Sequence, residues 1–282
     1  MEKKPAHAGK PITRTERATG TRGSNPRARL AARVPILGAV LAALFAGQLA
    51  AAPAITERTT AAEIIAMIDR NEVYDSIQYD GQMVIEYRGK RYVKEFTAST
   101  RGNRDSYIEF TNSEDRGTKY LKKDGRLYVY SPDTEQVMLI SGHMLKESMM
   151  GSDLSYEDTI ENRTLSERYD AAIIGTEDWN GTACRVLELT AKKKTESYQK
   201  ERVWVSMETG DLMHYELFAL SGAKLKEYNL IRAETIGARR FPIEAEMKDL
   251  LRKDSRTSFV MRNVRLDGVI PDSVFSMRNL ER

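Results

Sequence analysis

The chain has 282 residues, 44 Lys or Arg against 41 Asp or Glu, and one cysteine. Nine of the basic residues and two of the acidic ones fall in residues 1–33, which leaves 35 basic and 39 acidic in residues 55–282, a net charge of −4. That balance gives no electrostatic reason for a nucleic-acid partner. A lone Cys184 rules out an intrachain disulfide, so the core must supply stability, which a domain of this length can do.

Residues 1–54 read as a leader. The basic stretch is followed by an uncharged run from Val34 to Ile55, with VPILGAVLAALFAG at its heart and Ala-x-Ala patterns at its end. A basic start, an apolar run and a small-residue end make a secretory signal peptide. Cleavage after Ala54 keeps Pro53 out of the mature start. The expected location is the periplasm; a leader retained as an inner-membrane anchor facing the periplasm is the alternative, although Pro35, Gly38, Gly47 and Gln48 weaken the run as a permanent span. Residues 55–282 form the expected single folded domain.

The first predicted element is a helix. Thr60 and Glu63 fit a capping box, and Ile64, Ile65, Met67 and Ile68 give an apolar stripe at helical spacing. The pattern then switches to period two. Tyr79, Gly81, Met83, Ile85 and Tyr87 share a face, and Gly89-Lys90 is the expected hairpin turn into a strand over 91–100. Strands follow over 106–111, 118–123 and 126–131, the last two joined by Asp124-Gly125, a type I′ signal. Residues 136–140 form another.

An insertion, HMLKESMMGSDLSYED, occupies residues 143–158. Leu145 and Met149 are four apart, with Gly151 placed to end a helix and Ser152 to cap a second short turn containing Leu154 and Tyr156. Ser155 to Asp158 is a second capping pattern. Strands resume over 168–177 and 182–191 around Asn180-Gly181. Further strands run over 198–208, 211–220, 223–235, 241–250 and 255–267, and a short helix starts at Pro271.

A dozen strands on short turns make an antiparallel sheet. The fold class is mainly β with few helices. A single sheet of that length should curl into a barrel or half-barrel, which can enclose an apolar ligand space.

Catalytic motifs are not in view. His143 and His214 have no partner at metal-ligand spacing, and no G-x-S-x-G, H-E-x-x-H or phosphate-cradling loop occurs. The expectation is a non-enzyme without cofactor or metal. Asp153, Glu157 and Asp158 do not have EF-hand spacing. The candidate cavity residues are the single-face apolar ones, Met83, Ile85, Tyr87, Tyr128, Tyr130, Met213 and Tyr215. The insertion adds candidate lid residues: Met144, Leu145, Met149, Met150 and Leu154. Tyr and Met suit either an amphiphilic ligand or an irregular interior, and an insertion rich in Met suits either a lid or core packing.

The leader, the opening helix, MMGSDLSYEDTIENR (Met149 to Arg163), RVWVSMETGDLMHYELFALSGAKLKEY (Arg202 to Tyr228) and the closing IPDSVFSMRNLER resemble the periplasmic outer membrane lipoprotein-sorting protein family, whose members share a fold with LolA, LolB and RseB. The resemblance implies a half-open antiparallel barrel closed by helices around an apolar cavity. It also implies a monomeric carrier of lipoprotein acyl chains or other lipids, with an inner-membrane transporter as a further partner and no nucleic acid. An envelope sensor or transporter-accessory module with a protein partner is the alternative function. No functional residue transfers, because no short motif of LolA recurs in the chain.

Overall fold

Turn chemistry lays out most of this molecule. The computed structural model describes residues 55–72, 74–237 and 239–282. The expected leader lies outside them. Thr60 and Glu63 form the capping box, with Thr60 N–H on Glu63 Oε2 at 2.8 Å and Glu63 N–H on Thr60 Oγ1 at 3.3 Å. Helix α1 (Ala61–Glu72) follows, burying Ile64, Ile65, Met67 and Ile68.

Strands β1 (Ile77–Tyr87), β2 (Lys90–Arg101), β3 (Asp105–Phe110), β4 (Lys119–Lys123), β5 (Arg126–Ser131) and β6 (Gln136–Ile140) run as an antiparallel meander. The first turn is Arg88-Gly89, not Gly89-Lys90: both residues are left-handed (φ 50° and 72°) and Tyr87 pairs with Lys90. This shifts the expected register by two residues and so keeps every side chain on its expected face. Asp124-Gly125 and Asn180-Gly181 adopt the left-handed pairs a type I′ turn needs.

The segment 141–168 then carries two 3₁₀ turns, Gly142–Lys146 and Met149–Gly151, and the short helices α2 (Tyr156–Ile160) and α3 (Leu165–Arg168). The helix expected through Leu145 and Met149 is broken between them, where Glu147 and Ser148 are extended, and the left-handed backbone of Met150 (φ 53°) keeps the second turn short. The second cap is Ser155, not Ser152. Helix α3 was not foreseen; it is a single turn inside a stretch that reads as strand approach.

Strands β7 (Tyr169–Trp179), β8 (Thr182–Ala191), β9 (Lys200–Ser206), β10 (Leu212–Phe218), β11 (Lys224–Ile236), β12 (Arg239–Asp249) and β13 (Ser255–Leu266) complete the sheet, and α4 (Met277–Leu280) closes the described chain. Among the described residues no helix is long and apolar enough to cross a membrane.

Among the described residues the thirteen strands lie in the order β6-β5-β4-β3-β2-β1-β13-β12-β11-β10-β9-β8-β7. The first and last strands pair at the centre, and the sheet does not close. Strands β6 and β7, consecutive in the chain, are its two opposite edges. Segment 141–168 is therefore the connection that must cross from one edge to the other.

The curl follows from the cavity wall. Phe96 on β2 and Tyr215 on β10 lie five strands apart in the sheet yet line one space. Toward one end of the inner face, α1 packs against Leu187, Leu189, Val203 and Val205. Toward the other, Met83, Ile85, Phe96, Phe110, Tyr120 and Leu127 form a cluster that takes in Met149. On the outer face, Tyr107 and Leu121 bury Ile270, Phe275 and Leu280 of the C-terminal segment. A second outer cluster joins Cys184, Val186 and Trp204, with Trp179 stacked on His214 at 3.8 Å.

Gly81 has a steric role. A Cβ there would meet the Phe96 ring at 2.2 Å. The glycine lets that ring lie flat over β1, where it contacts Tyr79 edge-on at 6.2 Å and Phe110 at 5.5 Å.

Candidate functional site

The period-two pattern of β1, β2, β3 and β13 puts Met83, Phe96, Phe110 and Phe259 on the inner face. Segment 141–168 covers them without filling the space. What remains is a cavity of about 490 Å³, with Met149 and Leu154 on the cover side and Tyr228 and Met247 on the far strands. A more polar vestibule of about 370 Å³ shares Asn103, Leu154, Glu161, Tyr215 and Met247 with it. Tyr215 stacks flat on Tyr228, their centroids 4.6 Å apart.

The cover is held by polar contacts. Asp153, 1% exposed, accepts from the Asp249 backbone N–H at 2.9 Å and the Thr257 hydroxyl at 2.6 Å. Arg252 donates to the carbonyls of Ser152 and Gly151. Ser155 and Asp158 form the capping box of α2. Asp158 also accepts from Tyr198 Oη at 2.7 Å and Lys226 Nζ at 2.6 Å. Burial alone would raise the Asp158 carboxyl, but Lys226, Tyr198 and the Ser155 N–H outweigh it and hold it below the usual carboxylate range. Tyr120 Oη reaches Met150 sulfur at 3.1 Å and Tyr156 Oη at 3.3 Å. Most residues of the stretch GSDLSYED thus have a contact of their own. Asp153, Glu157 and Asp158 serve separate partners, Glu157 pairing with Lys146. Among the described residues no group of three or more His, Cys, Asp or Glu is placed to hold a metal.

The vestibule carries an ion-pair network. Arg163 bridges Glu161 and Glu196, each at 2.7 Å, and Arg168 approaches Glu196 at 3.2 Å. Glu201, 5% exposed, lies deeper, and burial pushes its carboxyl up to about 7 despite the Tyr169 hydroxyl and Arg168 beside it.

The sequence-predicted residues divide. Met83, Met149, Leu154 and Tyr215 line the cavity. Ile85, Met144, Leu145 and Met150 pack into the apolar cluster beside it. Four are corrected. Tyr128 and Tyr130 point to the outer face, packed with the C-terminal segment, because Tyr128 pairs with Leu121 while Leu127 and Val129 face inward. Met213 joins the outer tryptophan cluster, displaced by the β9–β10 bulge between Leu212 and His214. Tyr87 lies at the strand end, in contact with Arg88 and Arg252, whose guanidinium carbons are 5.0 and 4.9 Å from its ring centre. Sequence reasoning missed Phe96, Phe110, Phe259, Met247 and Lys122. Phe96 and Phe110 share a face with Met83 once the hairpin registers are known. Lys122 is two residues from the inward Tyr120 and so inward itself.

A family model described as "Uncharacterized protein" matches residues 102–282, well over half of the chain. No curated protein matches. Among solved structures, a DUF1329 family protein from Desulfovibrio piger is 26% identical, with a TM-score of 0.70 over 77% of this chain and 96% of that one. A putative outer membrane lipoprotein-sorting protein domain from Vibrio parahaemolyticus is 19% identical, with a TM-score of 0.68 over 77% and 97%. A LolA superfamily protein from Nitrosomonas europaea is 21% identical, with a TM-score of 0.65 over 79% and 100%. The antiparallel, unclosed sheet of the described residues is similar in fold to these structures. The chain belongs to the uncharacterized-protein-like family of the model that matches residues 102–282, and it carries the LolA-like fold.

Proposed function

We propose that this chain is a periplasmic carrier that takes up acyl chains, of lipoproteins or of other lipids, between its curled sheet and segment 141–168. The observation that carries the reading is the cavity of about 490 Å³ walled by Met, Phe and Tyr side chains. That volume is in the range of small-molecule sites, about 300–1,000 Å³. Each methylene taken from water into such a wall gains about 0.8 kcal/mol, and Met side chains adapt to a flexible chain. A more polar vestibule adjoins the apolar space and shares Glu161 and Tyr215 with it.

Native mass spectrometry of the protein purified from an envelope fraction should show a co-purified lipid, and a fluorescent acyl probe should brighten on uptake. A protein that is always empty and leaves the probe dark ends the proposal.

A further inference from the structure

The cavity wall contains one charged group that, among the described residues, has no carboxylate within ion-pair distance. Three charged side chains line the apolar cavity: Asp105, Lys122 and Glu161. Asp105 is held by Arg101 at 2.9 Å, and Glu161 by Arg163 at 2.7 Å and Arg168 at 3.3 Å. Lys122 is 6% exposed and donates to the Glu161 backbone carbonyl at 2.9 Å. Among the described residues no carboxylate forms an ion pair with it. The other buried lysines are matched differently: Lys226 has Asp158 at 2.6 Å, and Lys119 lies over the Tyr130 ring on the outer face.

An ammonium has three donors, and this one spends one of them on a carbonyl. A buried cation whose nearest carboxylates stay beyond ion-pair distance is costly. Burial pushes Lys122 down to about 8, against the pull of Glu161 and Asp105, which still leaves it charged at neutral pH.

We propose that Lys122 seats the anionic head of the ligand, so that the cavity takes an acyl chain ending in a carboxylate or a phosphate monoester. This rests on the acyl-carrier reading above and narrows it. Acyl groups in ester or amide linkage, as a lipoprotein carries them, bring no such charge to Lys122. A charge-assisted hydrogen bond in a dry wall would then add to the apolar gain and fix the direction in which the chain lies.

The test is displacement of a neutral, environment-sensitive acyl probe from the full chain by palmitate, hexadecyl phosphate and methyl palmitate, which share a chain length. At least one of the two anions should compete about 10- to 100-fold better than the ester, the effect expected of a hydrogen bond to a charged group. The tighter anion identifies the head. Lys122→Met should abolish the preference and Lys122→Arg should keep most of it. Equal competition by the ester and both anions on the unaltered protein overturns the anionic-head inference and leaves the acyl-carrier reading standing. A probe that never binds overturns both. Because the preference is read on the unaltered protein, a misfolded variant does not block the decision.

Discussion

The inner face of one sheet is covered in two different ways. Over β7 to β10 a regular helix lies directly on the strands, and Ile64 and Ile68 of α1 are 0% and 1% exposed. Over β1 to β4 and β13 the cover is an irregular segment, held off by polar contacts at Asp153, Asp158 and Lys122, and a cavity remains beneath it. An amphipathic stripe can follow a sheet surface continuously. A chain of single turns, each fixed by its own polar partner, cannot, so apolar side chains below it stay only partly matched. The difference teaches that the hollow belongs to the way the second cover is fastened, since the strands on both sides carry an apolar cluster on the inner face.

Removing a fastening should have the greatest effect. Asp158→Asn strips the partner from Lys226, whose side chain is 7% exposed. Breaking such a buried pair costs about 3–5 kcal/mol. Urea denaturation should show that loss, and limited proteolysis should cut first within residues 141–168. A loss under about 1 kcal/mol would mean the cover is held by something else.

Ile64→Ala opens a hole on the tightly packed side and should cost about 3–4 kcal/mol. A small change there, measured in the same denaturation series, would remove the contrast between the sides.

Glu201 lies in the vestibule between the two covers. Its folded value near 7 lies above its ordinary 4.5, so the folded state binds the proton more tightly. Stability from this group is full below about pH 4.5 and falls as pH rises toward 7, reaching a penalty on the order of 3 kcal/mol at neutral pH. Glu201→Gln should therefore raise the melting temperature at pH 8 much more than at pH 4.5. An equal shift at both values would show that the carboxyl is not held in its protonated form.

Met83→Ala, the counterpart of Ile64→Ala on the hollow side, should cost only about 1.5–2 kcal/mol. It loses transfer energy but enlarges a space that already exists. It should also weaken binding of the acyl probe. If it costs as much as Ile64→Ala, the cavity side is packed as firmly as the helix side.

Much of this was legible in the chain. Asp124-Gly125 and Asn180-Gly181 specify their hairpins through left-handed backbone alone, and the Thr60–Glu63 box specifies the start of α1. Met83 and Tyr215 were placed on the cavity face by alternation. The same alternation could not say which face of β5 was the inner one, so Tyr128 and Tyr130 were assigned to the cavity although they pack under Ile270 and Phe275. β4 buries residues on both faces and offers no polar side to read, which also hid the inward Lys122.

The insertion at 143–158 has a topological cause that its own residues do not show: β6 and β7 are opposite edges of the sheet, because β1 pairs with β13, distant in the chain. The sequence by itself determined the turns, the cap, the strand periods and the antiparallel class, since each depends on sterics and hydrogen bonds among near neighbours. The tertiary structure alone decided the closing pair of strands, the inner face of each half, the fastening of the cover and the unmatched charge of Lys122. Those depend on which distant side chains share a space, and a period of two fixes only that the faces alternate.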